Sequence, residues 1–309
     1  NFDASENVSR ETLPTYICRD CPRNCHAKRT PLSGNGFCGF GSSPVLARAA
    51  LHFDEEPVIS GTCGTGAVFF SGCSLRCRYC QNYSISHGGF GAPVNIGRLR
   101  EIYHELIAEG AHSIDLVNPT HFARAVYASL DESLPVPVIW NSGGYDSVDT
   151  LRRFEGKIQV YLPDLKYIDI FSAQRYSSAP DYFDRASAAL TEMYRQVGSV
   201  EVNEDGVIQS GLLIRHLVLP GRVEESCRIL DWIHSTLPHA WISLMAQYMP
   251  FGNVRDLDEM NRPLLQEEYD IVFDHLIELG MENGFAQELS SSDSRYIPNF
   301  DLTGVERKE

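Results

Sequence analysis

The stretch FFSGCSLRCRYCQNYSIS, residues 69–86, brings three cysteines, Cys73, Cys77 and Cys80, within eight positions. Thiolates are soft ligands that suit zinc or iron-sulfur clusters. A closed zinc site takes four ligands, whereas a four-iron cube held by three cysteines keeps one iron open to a substrate or cofactor. The C-x3-C-x2-C spacing therefore points to a [4Fe-4S] cluster with one reactive corner; the alternative is a zinc knuckle completed by Cys63 or His87.

A second set, Cys18, Cys21, Cys25 and Cys38, supplies four soft ligands from a loop-rich segment with little periodicity. Four thiolates close a tetrahedral zinc or iron site or hold a second [4Fe-4S] cluster as an electron relay, and His26 is able to replace one of them. Eight of the nine cysteines lie between Cys18 and Cys80. That clustering suits metal ligation in a reducing compartment better than a disulfide framework. Cys227 stands apart, on a predicted helix.

These ligands need a frame to hold them. Apolar strand-like runs at 67–70, 113–117, 137–140, 158–162, 212–219 and 241–245 alternate with segments of helical spacing such as Leu99, Ile102, Tyr103, Leu106 and Ile107. Strand and helix in alternation imply parallel strands with right-handed crossovers, and chemistry collects at the C-terminal ends of such strands. The three-cysteine loop follows the first of them. A hairpin, 200–202 with 207–209 turning at Asp205 and Gly206, is expected just before the fifth strand. Periodicity alone leaves an open doubly wound sheet and a partial (βα)6 barrel as alternatives. The chain divides into a four-cysteine segment (1–56), the strand-helix series (57–285) and an irregular tail (286–309).

With these residues in view, FFSGCSLRCRYCQNYSIS after the first strand of a βα series resembles the radical S-adenosylmethionine superfamily, and within it the branch similar to pyruvate formate-lyase activating enzymes with a cysteine-rich N-terminal segment. The resemblance implies an α/β fold, a partial (βα)6 TIM-like barrel with a small metal-binding N-terminal segment. It implies S-adenosylmethionine chelated at the open iron and cleaved reductively to methionine and a 5'-deoxyadenosyl radical. That radical would abstract hydrogen from a protein of the glycyl radical type, a peptide or a small molecule, with flavodoxin or ferredoxin as reductant. Tyr79 matches the aromatic position whose backbone lies against adenine, and Asp164 and Lys166 match an Asp-x-Lys motif that holds the cofactor's ribose or carboxylate. Arg215 matches the arginine of the fifth strand and Gln247 falls near the sixth-strand position, while His216 faces away and is structural.

The family's Gly-Gly-Glu motif is replaced here by VNPTHF, residues 117–122, in which Asn118, Thr120 or His121 would make the hydrogen bonds; Thr120 is alternatively a helix N-cap. Ser142 ends the third strand beside glycines that admit a ligand to the backbone, or that simply turn the chain. His52, Glu55 and Glu56 in LHFDEEP also resemble the branch, though a solvated acidic turn is the favoured reading. The departure at 117–122 keeps a second class of function open, a catalytically silent iron-sulfur or zinc scaffold or a sensor of S-adenosylmethionine.

Composition narrows the field. With 41 acidic against 26 basic residues, the net charge of -15 disfavours binding to nucleic acid. No apolar run approaches the roughly 18 residues of a spanning helix, and no apolar leader follows Asn1, so a cytoplasmic protein is expected.

Overall fold

A computed structural model describes residues 11–289 and 298–307. The N-terminal segment carries a short antiparallel pair, β1 (Tyr16–Ile17) with β2 (Lys28–Arg29), and then the longer β3 (Val45–His52). After α1 (Pro57–Ser60) come β4 (Thr65–Phe70), α2 (Tyr83–Ser86), β5 (Ala92–Pro93), α3 (Ile96–Ala108), β6 (Ile114–Val117), α4 (Ala123–Ser129) and β7 (Val138–Ser142). The series continues through α5 (Val148–Arg153), β8 (Val160–Pro163), α6 (Ile170–Ser177), α7 (Tyr182–Val197) and β9 (Glu201–Val202). It ends with β10 (Ile208–Leu217), α8 (Val223–Thr236), β11 (Trp241–Met245), α9 (Gln266–Glu278) and β12 (Gly284–Ala286).

The six apolar runs become β4, β6, β7, β8, β10 and β11, all parallel, side by side in chain order. This is the α/β partial-barrel class. Along the described sheet the order runs from β12 to β5 without the ends meeting, so the barrel is open. Leu99, Ile102, Tyr103 and Leu106 of α3 turn inward as their spacing requires, and Asn95 caps the helix by accepting the Arg98 amide at 2.7 Å. On α7, Leu190 and Met193 are buried completely, which favours the fold by about 2 kcal/mol for each side chain.

Two expectations change. β3 was not expected: it follows the loop-rich stretch within the 1–56 segment, runs antiparallel along β4 and covers that strand's free edge. The hairpin forms, with Asn203 Oδ1 accepting the Asp205 and Val207 amides, but its second arm is the start of β10 itself. The C-terminal stretch is held against the sheet. β12 adds a parallel strand to β11, and residues 298–307 return to β3, where the Ala49 amide donates to Thr303 O at 2.8 Å and the Leu302 amide to Ala47 O at 3.0 Å. Residues 290–297 of that tail lie outside the described residues. Among the described residues no helix is long and apolar enough to cross a membrane.

Candidate functional site

The chain leaves β4 through Gly72, whose φ of +85° and closeness to the Phe40 ring (2.5 Å from where a Cβ would stand) exclude a side chain. The turn delivers Cys73, Cys77 and Cys80 to the C-terminal end of the sheet. The Leu75 amide points at Cys73 Sγ (3.3 Å), and the Ser177 hydroxyl donates to Cys77 Sγ at 3.0 Å. Burial, reinforced by the Cys77 sulfur, raises the Cys73 thiol and pushes that of Cys80 up to about 12. The three sulfurs thus sense one another, and a metal binding there displaces protons.

Neither partner named for a zinc knuckle is placed to complete one. Cys63 precedes β4 while Cys73 follows it, and a six-residue strand separates its ends by roughly 20 Å. Both His87 nitrogens are engaged, Nε2 with Arg76 O at 3.1 Å and Nδ1 with Ser86 Oγ at 2.9 Å, and the ring stacks on Tyr83. Among the described residues no group of three His, Cys, Asp or Glu is gathered as a single metal ion would hold it. Three soft donors without a fourth, two of them already receiving hydrogen bonds, fit a three-cysteine cluster.

Beside Cys77 and Cys80 opens a cavity of about 220 Å³ whose wall includes Tyr79, Asp164, Lys166, Arg215 and Gln247. Its charged side is one network. Asp164 receives Lys166 Nζ at 2.5 Å and Arg215 Nε at 2.9 Å. Arg215 Nη1 donates to Glu55 Oε2 at 3.1 Å and Nη2 to Asn141 Oδ1 at 2.5 Å, and Asn141 Nδ2 reaches Asp115 Oδ2 at 3.2 Å. Burial opposes the charge on Asp164, but Lys166 and Arg215 outweigh it and hold the carboxyl below its ordinary range. Burial also disfavours the Lys166 and Arg215 cations, and the Asp164 carboxylate raises both nonetheless. Glu55, Glu56 and Asp115 are instead raised, chiefly by burial, with Arg215 working against the rise. Lys166 and Arg215 stand here among the carboxyls of Asp54, Glu55 and Asp164, so the wall is of mixed charge and offers both donors and acceptors.

Several expected residues lie elsewhere. Ser142 turns from the cavity and donates to Asp146 Oδ2 at 2.5 Å; its neighbour Asn141 is the residue of β7 that reaches the wall. Asn118, held at φ +62°, gives its amide to Gly72 O at 2.6 Å and so braces the cysteine loop. Thr120 caps no helix: its hydroxyl donates to Asp146 Oδ1 at 2.6 Å, and α4 begins at Ala123 after a 3-10 turn. Tyr79 packs its ring against Tyr176 and Tyr248. Gln247 holds Gln81 through its backbone carbonyl at 2.9 Å. His216 is buried between Leu165 O and Ser226 Oγ, and burial lowers it to about 4, in keeping with a structural role. The acidic turn is not solvated as expected: Glu55 reaches Arg215 inside the barrel mouth, and His52 and Asp54 line the same cavity. No periodicity marks Glu55 or Asn141; the doubled acid in LHFDEEP was the one available sign. In the N-terminal segment Cys18, Cys21, Cys25 and Cys38 line one small cavity, and His26 is exposed outside it.

Residues 59–177 match the family model described as a 4Fe-4S single cluster domain, a stretch that contains the three-cysteine loop, Asp164 and Lys166 but less than half of the 309-residue chain. In sequence the chain is 27% identical over 265 residues to the uncharacterized protein MJ0674 of Methanocaldococcus jannaschii, covering 82% of this chain and 72% of that one. In structure it is similar to SuiB of Streptococcus suis bound to its precursor peptide SuiA, with a TM-score of 0.50, 11% identity and 70% of this chain covered. The match spans only 47% of SuiB. Methylornithine synthase, PylB, aligns at a TM-score of 0.45 and 14% identity over 70% of this chain and 68% of that one. What the SuiB likeness shows is a shared fold.

Proposed function

We propose that this protein is a radical S-adenosylmethionine enzyme of the kind its cysteine loop resembles. The reading is carried by one observation: the loop bearing Cys73, Cys77 and Cys80, within a stretch that matches a 4Fe-4S domain, opens on the same cavity as Asp164, Lys166 and Arg215. When bound, a three-cysteine [4Fe-4S] cluster with S-adenosylmethionine at its open iron supplies one-electron cleavage of the sulfonium C-S bond and hydrogen abstraction by the resulting 5'-deoxyadenosyl radical.

The chain's own residues bind and orient. Lys166 gives one of its three ammonium donors to Asp164 and keeps the others for a carboxylate in the cavity. Asp164 is fixed by two cations and stays ionised, an acceptor for ribose hydroxyls or an amino group. Arg215 spends its fork on Asp164, Glu55 and Asn141, so it orients these acceptors rather than gripping the cofactor. The backbone of Tyr79 and the side chain of Gln247 border the adenosine end. The hydrogen donor is a protein, a peptide or a small molecule, and the reductant a flavodoxin or ferredoxin.

The test is anaerobic reconstitution with iron and sulfide, reduction, addition of S-adenosylmethionine and quantification of 5'-deoxyadenosine. The parent is expected to form it and a Cys73→Ala, Cys77→Ala, Cys80→Ala triple variant to form none. A parent that binds the cofactor with a reducible cluster yet releases no 5'-deoxyadenosine, with or without a candidate glycyl radical protein, would overturn the proposal in favour of a sensor.

A further inference from the structure

The four remaining clustered cysteines share a wall with the first site. Cys18, Cys21, Cys25 and Cys38 line one cavity together with Arg29, His121 and Ser74, the residue that follows Cys73. Arg23 ties the two sets together: its Nε donates to Ser74 O at 2.7 Å and its Nη2 to Ser177 O at 2.8 Å, and the Ser177 hydroxyl meets Cys77 Sγ. From the other side, Arg76 Nη2 donates to Cys38 O at 3.2 Å.

Two groups at this cavity lack the partner that burial demands. Arg29 is 1% exposed, its guanidinium bonded to the carbonyls of Gly41 and His121 and to Cys18 Sγ at 3.8 Å. Among the described residues no carboxylate lies within ion-pair distance of it. A guanidinium buried without an anion is strongly destabilising, so an anion belongs there, and the sulfurs around it are its source. His121, also 1% exposed, donates Nε2-H to Ser71 O at 2.7 Å while its buried Nδ1 has no hydrogen-bond partner.

The place of the cavity selects the metal: its wall includes Ser74 of the three-cysteine loop, where a redox cluster, unlike zinc, relays electrons. Gly36 leaves the room, since a Cβ there would sit 3.2 Å from Cys25 Sγ and 3.8 Å from Cys38 Sγ.

We infer that Cys18, Cys21, Cys25 and Cys38 hold a second [4Fe-4S] cluster, whose net negative charge Arg29 meets and which stands against the first cluster across Ser74. The choice of a cluster over zinc rests, through that adjacency, on the function proposed above; the gathering of the four thiols does not. The experiment uses the full chain, reconstituted anaerobically with ferrous iron and sulfide, as parent and as the Cys73→Ala, Cys77→Ala, Cys80→Ala variant, which leaves the N-terminal segment intact. Iron, acid-labile sulfide and zinc are counted and electron paramagnetic resonance is recorded after reduction. The parent is expected to hold about eight irons and the variant about four, as two cubes and then one require. The parent's reduced spectrum is expected to be broadened by spin coupling that the variant lacks. About four irons with one zinc in the parent, or a folded variant without iron, overturns the inference. A parent count needs no substituted protein, so a variant that fails to fold leaves a decisive measurement. Loss of 5'-deoxyadenosine formation with four irons retained in the variant is expected if both readings hold, whereas a parent with eight irons that forms no 5'-deoxyadenosine would defeat the proposed function and leave this inference standing.

Discussion

Arg215→Met removes the hub of the charged wall while keeping an apolar stem of similar length. Asp164 then keeps only Lys166 of its two cations, Glu55 loses the one it contacts, and Glu56 and Asp115 lose the charge that opposes their rise. Taking one partner from a buried ion pair costs about 3–5 kcal/mol. Arg215 and Asp164 retain 15% and 14% of their side-chain exposure, which places the loss at the low end, about 3 kcal/mol at pH 8. The sign of the pH dependence follows from linkage. Glu55, Glu56 and Asp115 are raised in the folded chain, so between the unfolded and folded values the folded state holds protons that the unfolded state has released, and stability falls as pH rises through that window. Without Arg215 the window extends upward. At lower pH more of these raised carboxyls take protons instead of repelling, so the loss should be smaller at pH 5 than at pH 8, by about 1–2 kcal/mol, since each tenfold change in proton affinity is worth about 1.4 kcal/mol. Urea unfolding of metal-free chain in a thiol reductant, at pH 5 and pH 8, measures it. Adding Glu55→Gln should return about 1–2 kcal/mol at pH 8, the coupling expected of contacting residues. Equal losses at the two pH values, with additive effects in the double variant, would refute the electrostatic account.

Gly72→Ala forces a side chain onto a φ of +85° and within 2.5 Å of the Phe40 ring; strain and overpacking together should cost about 3 kcal/mol, read as a Tm lower by about 6 °C with weaker iron retention in the loop. Cys63→Ser and His87→Gln should leave the iron count of the reconstituted chain unchanged, since the one lies beyond the far end of β4 and the other has both nitrogens engaged; a drop of one cluster in either variant would return a ligand role to that residue. Arg98→Met loses the donors that hold the carbonyls of Gly304, Val305 and Glu306. Limited proteolysis should then cut within 298–307 about ten times faster, as a local opening cheaper by about 1.4 kcal/mol allows, and an unchanged cleavage pattern would show that the pairing with β3 suffices.

The strands were legible where burial on both faces writes a continuous apolar run, as in AVFF or IQVYL. β3 was not, because VLARAALH sets an arginine among alanines and follows a cysteine-rich loop, and its pairing with β4 depends on a neighbour that sequence does not place beside it. β12 is three residues long, too short for any period to show, and it exists because α9 returns the chain alongside β11. At β7 the strand was found and the facing residue was not. Neighbours on a strand point to opposite sides, so a one-residue difference separates Asn141, at the cavity, from Ser142, bonded to Asp146.

The site divides along the same physical line. Ligands that share one loop are fixed by local spacing: Cys73, Cys77 and Cys80 lie four and three positions apart, and no choice of fold can part them. The partners of Arg215 lie 160, 74 and 51 residues away, on different elements, and meet only because parallel strands end at a common rim. A motif that names Arg215 alone reads it as a hand free to hold a carboxylate. Its fork is already filled, and the carboxylates that fill it are themselves shifted in opposite directions, Asp164 down by its cations and Glu55 up by burial. The free donor at the rim is therefore Lys166, whose ammonium gives one hydrogen bond to Asp164. It follows that Lys166→Met should weaken S-adenosylmethionine binding and alter the pH dependence of stability through Asp164 alone, whereas Arg215→Met should alter it through Glu55, Glu56 and Asp115 as well and affect binding through that change.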